Sequence, residues 1–273
     1  MLDLHANVIT PGAVLVLGVG PGVIAVGDGQ SVAGVPIRPD AELIGFGMNS
    51  ATADSIARIR LESQDMVDPI NGIDIAPGAT STVLNFWHWL HLKYRTGQRA
   101  VRAGTNVGVT AGHSLLLDYY PDGNCIMGSE AMENEVVPSV STTFAGATTA
   151  NIWLAQAYAP GTALPNGKYA LLGSRCSAIT QAAIRFAHAD FKGFKPGYIT
   201  ADLNQAAATS WTTSSKVVAE LNTCDQFVRI SKLFNKPCVP VFTVSNAGTG
   251  LIMEMITPQA ATPVVDLFLA KVG

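Results

Sequence analysis

Gly112-His113-Ser114-Leu115-Leu116 places a serine two residues after a glycine and next to a histidine, a neighbourhood in which a hydroxyl nucleophile is worth testing for. Such a serine works when Gly-x-Ser-x-Gly holds it on a sharp strand-to-helix turn, with an acid and a histidine following in the chain. Leu116 stands where the second glycine is needed, the residues after it are of strand type, and His188 is the only histidine downstream. Gly18-Val19-Gly20-Pro21-Gly22 invites a dinucleotide-loop reading. That loop must open a helix whose first amides face a pyrophosphate, and Pro21 here begins a hairpin turn instead. His88 and His91 have the i, i+3 spacing of a shared metal on a helix, but no carboxylate or cysteine at ligand spacing joins them. Asp65 and Asp190, and likewise Asp118 and Glu254, are acids at matched places in the two halves of the chain. Two carboxylates in one cleft would serve a glycosidase; one acid per half reads better as an outward position on a strand. The four tryptophans, Trp87, Trp89, Trp153 and Trp211, show no spacing that suggests a sugar-stacking platform. The reading assigns no catalytic, cofactor-binding or metal-binding residue, and no enzymatic activity.

Composition narrows the classes further. At 273 residues the chain suits one large domain or two ordinary ones. It is 48% hydrophobic and only 14% charged, with 26 glycines and 15 prolines, which describes a compact, turn-rich protein with little solvated surface to spare. A net charge of -3 and the lack of any basic run give no electrostatic reason to bind nucleic acid or an anionic membrane. Cys125, Cys176, Cys224 and Cys238 lie without C-x-x-C spacing and read as free, buried thiols. Residues 1–10 lack the features of a secretory signal, and no window is apolar enough for a membrane span, so a soluble protein made in a cytoplasm is expected.

The elements that must carry these residues are written twice. Ala111-Gly112-His113-Ser114-Leu115-Leu116-Leu117-Asp118 is answered by Ala247-Gly248-Thr249-Gly250-Leu251-Ile252-Met253-Glu254, at an offset of 136. Leu43-Ile44-Gly45 answers Leu171-Leu172-Gly173, and Ile59-Arg60-Leu61 answers Ile184-Arg185-Phe186. A helical stretch is expected at Val83 to Arg95, from Val83, Trp87, Leu90 and Tyr94 on one face. Another is expected at Cys224 to Asn235, opened by the Thr223-x-x-Gln226 capping box and carrying a Phe227, Ile230, Phe234 stripe.

Between these landmarks the chain is a series of short apolar runs broken by Gly, Pro, Asn and Asp, the spacing of β-sandwiches. Met1 to Thr10 reads as an extended arm, Ala13 to Val26 as a hairpin, and Ala41 to Asn49, Ser55 to Glu62 and Ile70 to Ile75 as strands, as does Ser31 to Ile37. In the second half Glu135 to Thr143, Ala150 to Tyr158, Lys168 to Cys176, Thr180 to His188, Cys238 to Ser245 and Gly250 to Ile256 read as strands. Asn204 to Ser215 reads as a long loop and Val264 to Val272 as a last strand or tail. Asp122 to Pro138, with Glu130, Glu133 and Glu135, reads as a boundary that neither core needs. The domains are drawn at 1–130 and 131–273, each many strands with one helix inserted before its last strands.

That layout resembles the double-jelly-roll major capsid proteins of tailless icosahedral viruses, the lineage of tectiviruses and adenovirus hexons. The resemblance covers nearly the whole chain and rests on architecture, not on a diagnostic motif. It implies an all-β fold of two tandem jelly-roll sandwiches, a homotrimer with a pseudo-hexagonal outline, and trimers that tile an icosahedral shell. It also implies contacts with neighbouring trimers and with minor capsid or penton proteins, an internal membrane beneath the shell, and terminal arms near the inner side or clasping an adjacent trimer. No specific nucleic-acid binding is expected, and the location is the virion, after synthesis in a host cytoplasm. The alternative reading is a two-domain carbohydrate-binding β-sandwich protein, which accounts for the folds alone.

Overall fold

The computed structural model describes residues 1–9, 14–19, 24–26, 42–50, 56–61, 73–75, 88–93, 99–107, 112–143, 149, 152–177, 182–200, 226–256, 260 and 262–273. The fold is all-β with few helices, and its contacts divide it into two compact units. His5–Tyr120 form the N-terminal unit; Met1–Leu4 group with Pro121–Gly273 as the C-terminal unit. The expected strand Ser31 to Ile37 and the expected loop Asn204 to Ser215 lie outside the described residues, as does Asp65.

Nine strands are described up to Tyr120, the first of them beginning in the segment that groups with the C-terminal unit: β1 (Leu2–Ile9), β2 (Val14–Val19), β3 (Ile24–Val26), β4 (Glu42–Ser50), β5 (Ile56–Leu61), β6 (Ile73–Ile75), β7 (His88–Lys93), β8 (Arg99–Val107) and β9 (Gly112–Tyr119). They form two sheets, ordered β1-β9-β4-β7 and β3-β2-β8-β5-β6. The C-terminal unit holds β10 (Cys125–Ile126), α1 (Gly128–Met132), β11 (Glu135–Thr143), β12 (Leu154–Ala157), β13 (Gly167–Ser177), β14 (Ala182–Ala187), β15 (Gly197–Thr200), α2 (Gln226–Phe234), β16 (Val239–Val244), β17 (Ile252–Ile256) and β18 (Val264–Lys271). Its sheets are ordered β11-β18-β13-β16-β10 and β12-β17-β14-β15.

Set β3 and β10 aside, and each unit has eight strands in the same arrangement. The first, eighth, third and sixth make one sheet; the second, seventh, fourth and fifth make the other. The third strands carry a shared irregularity. In β4 the pairing with β9 slips between Leu43 and Gly45, and in β13 the pairing with β18 slips between Leu171 and Gly173. An extra residue in one strand of an antiparallel pair bends it and sharpens its twist, and a glycine beside the bulge eases that bend. The matched Leu-x-Gly triplets are the sequence trace of this feature.

Burial follows the layering. In β13 the residues Tyr169 to Leu172 and Ser174 are all buried, although alternate positions of a strand face opposite sides. One side faces the core and the other is covered by α2, which packs on β13 and β16 with Phe227, Val228 and Ile230 buried and Lys232 and Leu233 exposed. Asn235, at φ 50°, ends α2 in the left-handed conformation, and the Lys236 N–H closes back on Ser231 O at 3.1 Å. The Ser231 hydroxyl accepts from Gly128 N at 2.9 Å and donates to Lys236 O at 2.5 Å, which ties α1 to α2.

Four expectations need correction. The helix expected at Val83 to Arg95 is a strand where the chain is described: His88–Lys93 is β7, paired with β4 through Gly45 opposite Trp89 and Phe46 opposite His88. A short apolar run fits either period, and here strand pairing wins over the helical spacing. Met1 to Thr10 is not an arm, because its described part is β1, which lies beside β9; of the two readings of Val264 to Val272 the strand holds and the arm does not, as β18 lies between β13 and β11. Asp122 to Pro138 is not a dispensable boundary: β10 pairs with β16, Gly128 and Ala131 are buried, and α1 packs on α2. Finally, the repeat of Ala111 to Pro121 in Ala247 to Pro258 matches composition and not position, since β9 is the eighth strand of its unit and β17 the seventh.

Candidate assembly surface

The outer face of the β12-β17-β14-β15 sheet gathers the polar chemistry of the C-terminal unit. Arg185 on β14 and Glu254 on β17 are direct cross-strand partners, so their side chains share that face. Arg185 Nε donates to Glu254 Oε2 at 2.5 Å, and Lys195 Nζ donates to Oε1 at 2.6 Å. The guanidinium also lies 3.9 Å from the Trp153 ring centroid, a cation–π stack, and donates to Leu4 O at 3.2 Å. Asp3 Oδ1 accepts from Lys195 N at 3.0 Å, and Leu4 N donates to Lys195 O at 3.1 Å. Burial pushes the Glu254 carboxyl upward, but the hydrogen bond from Lys195 and the charge and hydrogen bond of Arg185 outweigh it and hold the group below its ordinary value. The triad fastens Met1–Leu4 to the sheet. Trp153 Nε1 is buried without a hydrogen-bond partner among the described residues.

Beside the triad the same face is apolar. Ala157 lies opposite Ile252, and Ile252 opposite Ala187; Ile252 is 41% exposed and Ile152, just before β12, is 52% exposed. Strand β12 is the edge of the sheet. Tyr158 N donates to Leu251 O at 2.8 Å, which continues the β12–β17 ladder by one residue. Antiparallel ladders alternate, so Gln156 and Leu154 direct their backbone groups to β17 while Ala155 and Ala157 direct theirs outward. Both alanines are exposed.

Past the end of β12 lies a cleft of about 710 Å³ between the 158–166 connection and the β16–β17 turn, lined by Tyr158, Leu164, Asn166, Asn246, Thr249 and Ile252 among others. Asn166 Nδ2 donates to Asn246 Oδ1 at 2.6 Å, and the Thr249 hydroxyl donates to Tyr158 O at 2.8 Å. The turn closes on itself through Ser245 and Gly248. Gly250 has φ 64°, and a Cβ there would sit 3.0 Å from His188 Nε2, so both backbone and space call for glycine. The Tyr158 hydroxyl is raised well above its ordinary pKa, first by burial and then by the charge of Asp266.

The residues singled out for chemistry do not converge. Gly112, His113 and Ser114 are consecutive residues of β9, with Ser114 opposite Met48 of β4, so Ser114 sits in a ladder and not on a strand-to-helix turn. Gly18 and Val19 end β2 and the chain returns as β3, a hairpin. His88 and His91 lie in β7, a strand and not the helix that their i, i+3 spacing supposes. His188 Nδ1 accepts from Asp190 N at 3.0 Å, and its ring packs 5.6 Å from Phe191 and 5.5 Å from Phe242. Asp190 Oδ2 accepts from Thr243 N at 2.8 Å, pinning the turn after β14 to β16. Of the acids expected at outward strand positions, Asp118 is instead buried at 1% exposure, Glu254 lies on the outer face and is engaged by two cations, and Asp190 sits in the turn after β14. Among the described residues no three His, Cys, Asp or Glu side chains form a metal-holding group, and no helix is long and apolar enough to cross a membrane. Cys125 and Cys238 are free; burial raises both thiols, that of Cys238 to about 12. Cys176 lies in β13, while Cys224 falls outside the described residues.

No known protein family and no curated protein matches the sequence. The solved structures it is similar to include a viral major capsid protein and two virus structures. The major capsid protein P2 of bacteriophage PM2 is 9% identical with a TM-score of 0.23, over 100% of this chain and 98% of that one. The structure of Sulfolobus turreted icosahedral virus gives 9% and 0.19, over 99% and 91%, and that of Macrobrachium rosenbergii nodavirus 8% and 0.20, over 100% and 90%.

The Arg185–Glu254–Lys195 triad and the outer edge of β12, which no strand among the described residues pairs, were not foreseen. One signal was present in the Ala150 to Tyr158 run, which contains no charge, proline or glycine to guard an edge. The triad had no such signal, because a cross-strand ion pair depends on register.

Proposed function

We propose that the chain is a major capsid protein of two tandem jelly-roll sandwiches, which forms homotrimeric capsomers of pseudo-hexagonal outline in an icosahedral viral shell. The observation that carries this reading is the strand order. The order first-eighth-third-sixth and second-seventh-fourth-fifth recurs in both units and supports the double Greek-key arrangement of a jelly roll for each. Jelly rolls also serve lectins and enzymes, so the order alone supports a fold and the tandem repeat supports the use made of it. One chain with two similar wedges places six wedges in a trimer, enough to close a near-hexagon while letting each wedge differ in its contacts. The low share of charged residues suits flanks that neighbours cover. In this reading the chain is not an enzyme and takes no cofactor. Its partners are its own copies, minor capsid or penton proteins and an internal membrane, and its place is the virion after synthesis in a host cytoplasm.

The test is assembly. Native mass measurement of the purified chain is expected to give a trimer, and electron microscopy a hexagonal outline or closed shells. A monomer at every concentration and salt tried overturns the reading.

A further inference from the structure

We propose that the outer edge of β12 is a docking strip completed by a strand from a second copy of this chain. In the N-terminal unit the second strand of the shared order, β2, occupies the same place as β12. There the edge does not stay bare: β3 lies along it, pairing Val26 with Leu15, Ala25 with Val16 and Ile24 with Leu17. In the C-terminal unit no strand among the described residues takes the place of β3. The shared order therefore identifies what fits the β12 edge, namely a short extended segment of about three residues, the length by which β3 covers β2.

The edge is chemically ready for such a segment. Ala155 and Ala157 present outward N–H and C=O groups and exposed, small side chains, which let another backbone approach closely. Unpaired strand edges in stable proteins are normally guarded by lysine, proline, a bulge or very short length. The other sheet of this unit follows that rule: β11 carries Pro138 and a slip in register between Val137 and Val140, and β10 is two residues long. Strand β12, Leu154-Ala155-Gln156-Ala157, has neither charge, proline nor bulge. At its Ala157 end the cleft beside Tyr158, Leu164 and Ile252 offers a seat for an apolar side chain of the incoming segment. Main-chain hydrogen bonds would supply affinity and the cleft selectivity.

The choice of a second copy rests on the capsid reading, in which copies are the most concentrated neighbours. It also fits the charge balance: the docking strip is neutral, and a net charge of -3 over 273 residues sets up little repulsion between copies.

The experiment compares the wild-type chain with Ala155→Pro/Ala157→Pro and with Ala155→Lys/Ala157→Lys. Both variants alter outward-facing positions and leave the β17 ladder intact. Native mass measurement across a concentration series is expected to show that each variant needs at least about tenfold more protein to assemble, a change of about 1.4 kcal/mol. Hydrogen exchange of the wild-type peptide containing Leu154–Tyr158 is expected to slow at least about tenfold on passing from dilute protomer to assembly. Should the proline variant misfold, the lysine variant and the wild-type exchange data still decide. Variants that assemble like wild type, or a peptide whose exchange is the same in protomer and assembly, overturn the docking strip and leave the capsid reading standing. A wild-type chain that never assembles overturns both.

Discussion

The second sheet of the N-terminal unit and that of the C-terminal unit share an order of four strands and differ at one edge. In the first, β3 is added beside β2; in the second, β12 ends the sheet, with its outward alanines exposed. The C-terminal unit also carries a cover of its own, because α2 precedes β16 and shields the outer side of β13 and β16. The shared order specifies how eight strands pair, while the accessories decide which surfaces remain for other molecules. A repeated strand order can in this way keep one pairing plan and leave its two copies different neighbours.

The comparison breaks most severely if the α2 cover is removed. Phe227 is fully buried, and Phe227→Ala is expected to cost about 3–5 kcal/mol, read as a lower urea midpoint for the C-terminal unit. A midpoint unchanged from wild type would mean that α2 decorates β13 and β16 without stabilising them. Next in size is the triad. Glu254→Ala leaves Arg185, largely buried, without its carboxylate and is expected to cost about 3 kcal/mol.

The triad also sets a pH dependence. Glu254 has a lowered pKa when folded, so its contribution is complete above the ordinary glutamate value of about 4.3 and is lost as pH falls through the lower folded value. In acid titrations of stability, Glu254→Gln is expected to lack this component; identical acid limbs for variant and wild type would refute the assignment.

A smaller effect is expected at the α1–α2 contact. A Cβ at Gly128 would meet Val228 O at 2.9 Å, so Gly128→Ala is expected to lose about 1–3 kcal/mol. A neutral result would show that α1 moves freely against α2. The smallest effect is chemical. Burial holds the Cys238 thiol near 12, so alkylation at pH 8 mapped by mass spectrometry is expected to leave it unmodified until the chain unfolds. Rapid labelling of the native protein would place it at an open surface.

Much of this architecture is legible in local patterns. β-Branched runs between Gly, Pro, Asn and Asp mark most strands, and the Leu-x-Gly triplets mark the bulged third strand of each unit. The stripe of Phe227, Ile230 and Phe234 marks α2, where the apolar face lies on the sheet. The errors arise where position depends on distant pairing. His88–Lys93 has helical spacing, yet its hydrogen bonds go to β4. β1 and β18 look like tails because they lie near the chain ends, although β18 is flanked by strands on both sides. Neither β8 nor β15 stands out as a strand in the sequence. The Ala-Gly repeat found a seventh strand resembling an eighth, since composition records strand type and not place in the sheet. The Arg185–Glu254 pair was beyond reach for the same reason: 69 residues separate the two, and only register sets them side by side.

The central claim is that two sandwiches of one strand order form the wedges of a trimeric capsomer, and particle shape tests it most directly. Electron microscopy of the purified chain, joined to native mass measurement of the same sample, is predicted to show particles three chains in mass with a six-lobed outline. A stable monomer, or an oligomer whose outline has no pseudo-sixfold character, would contradict it.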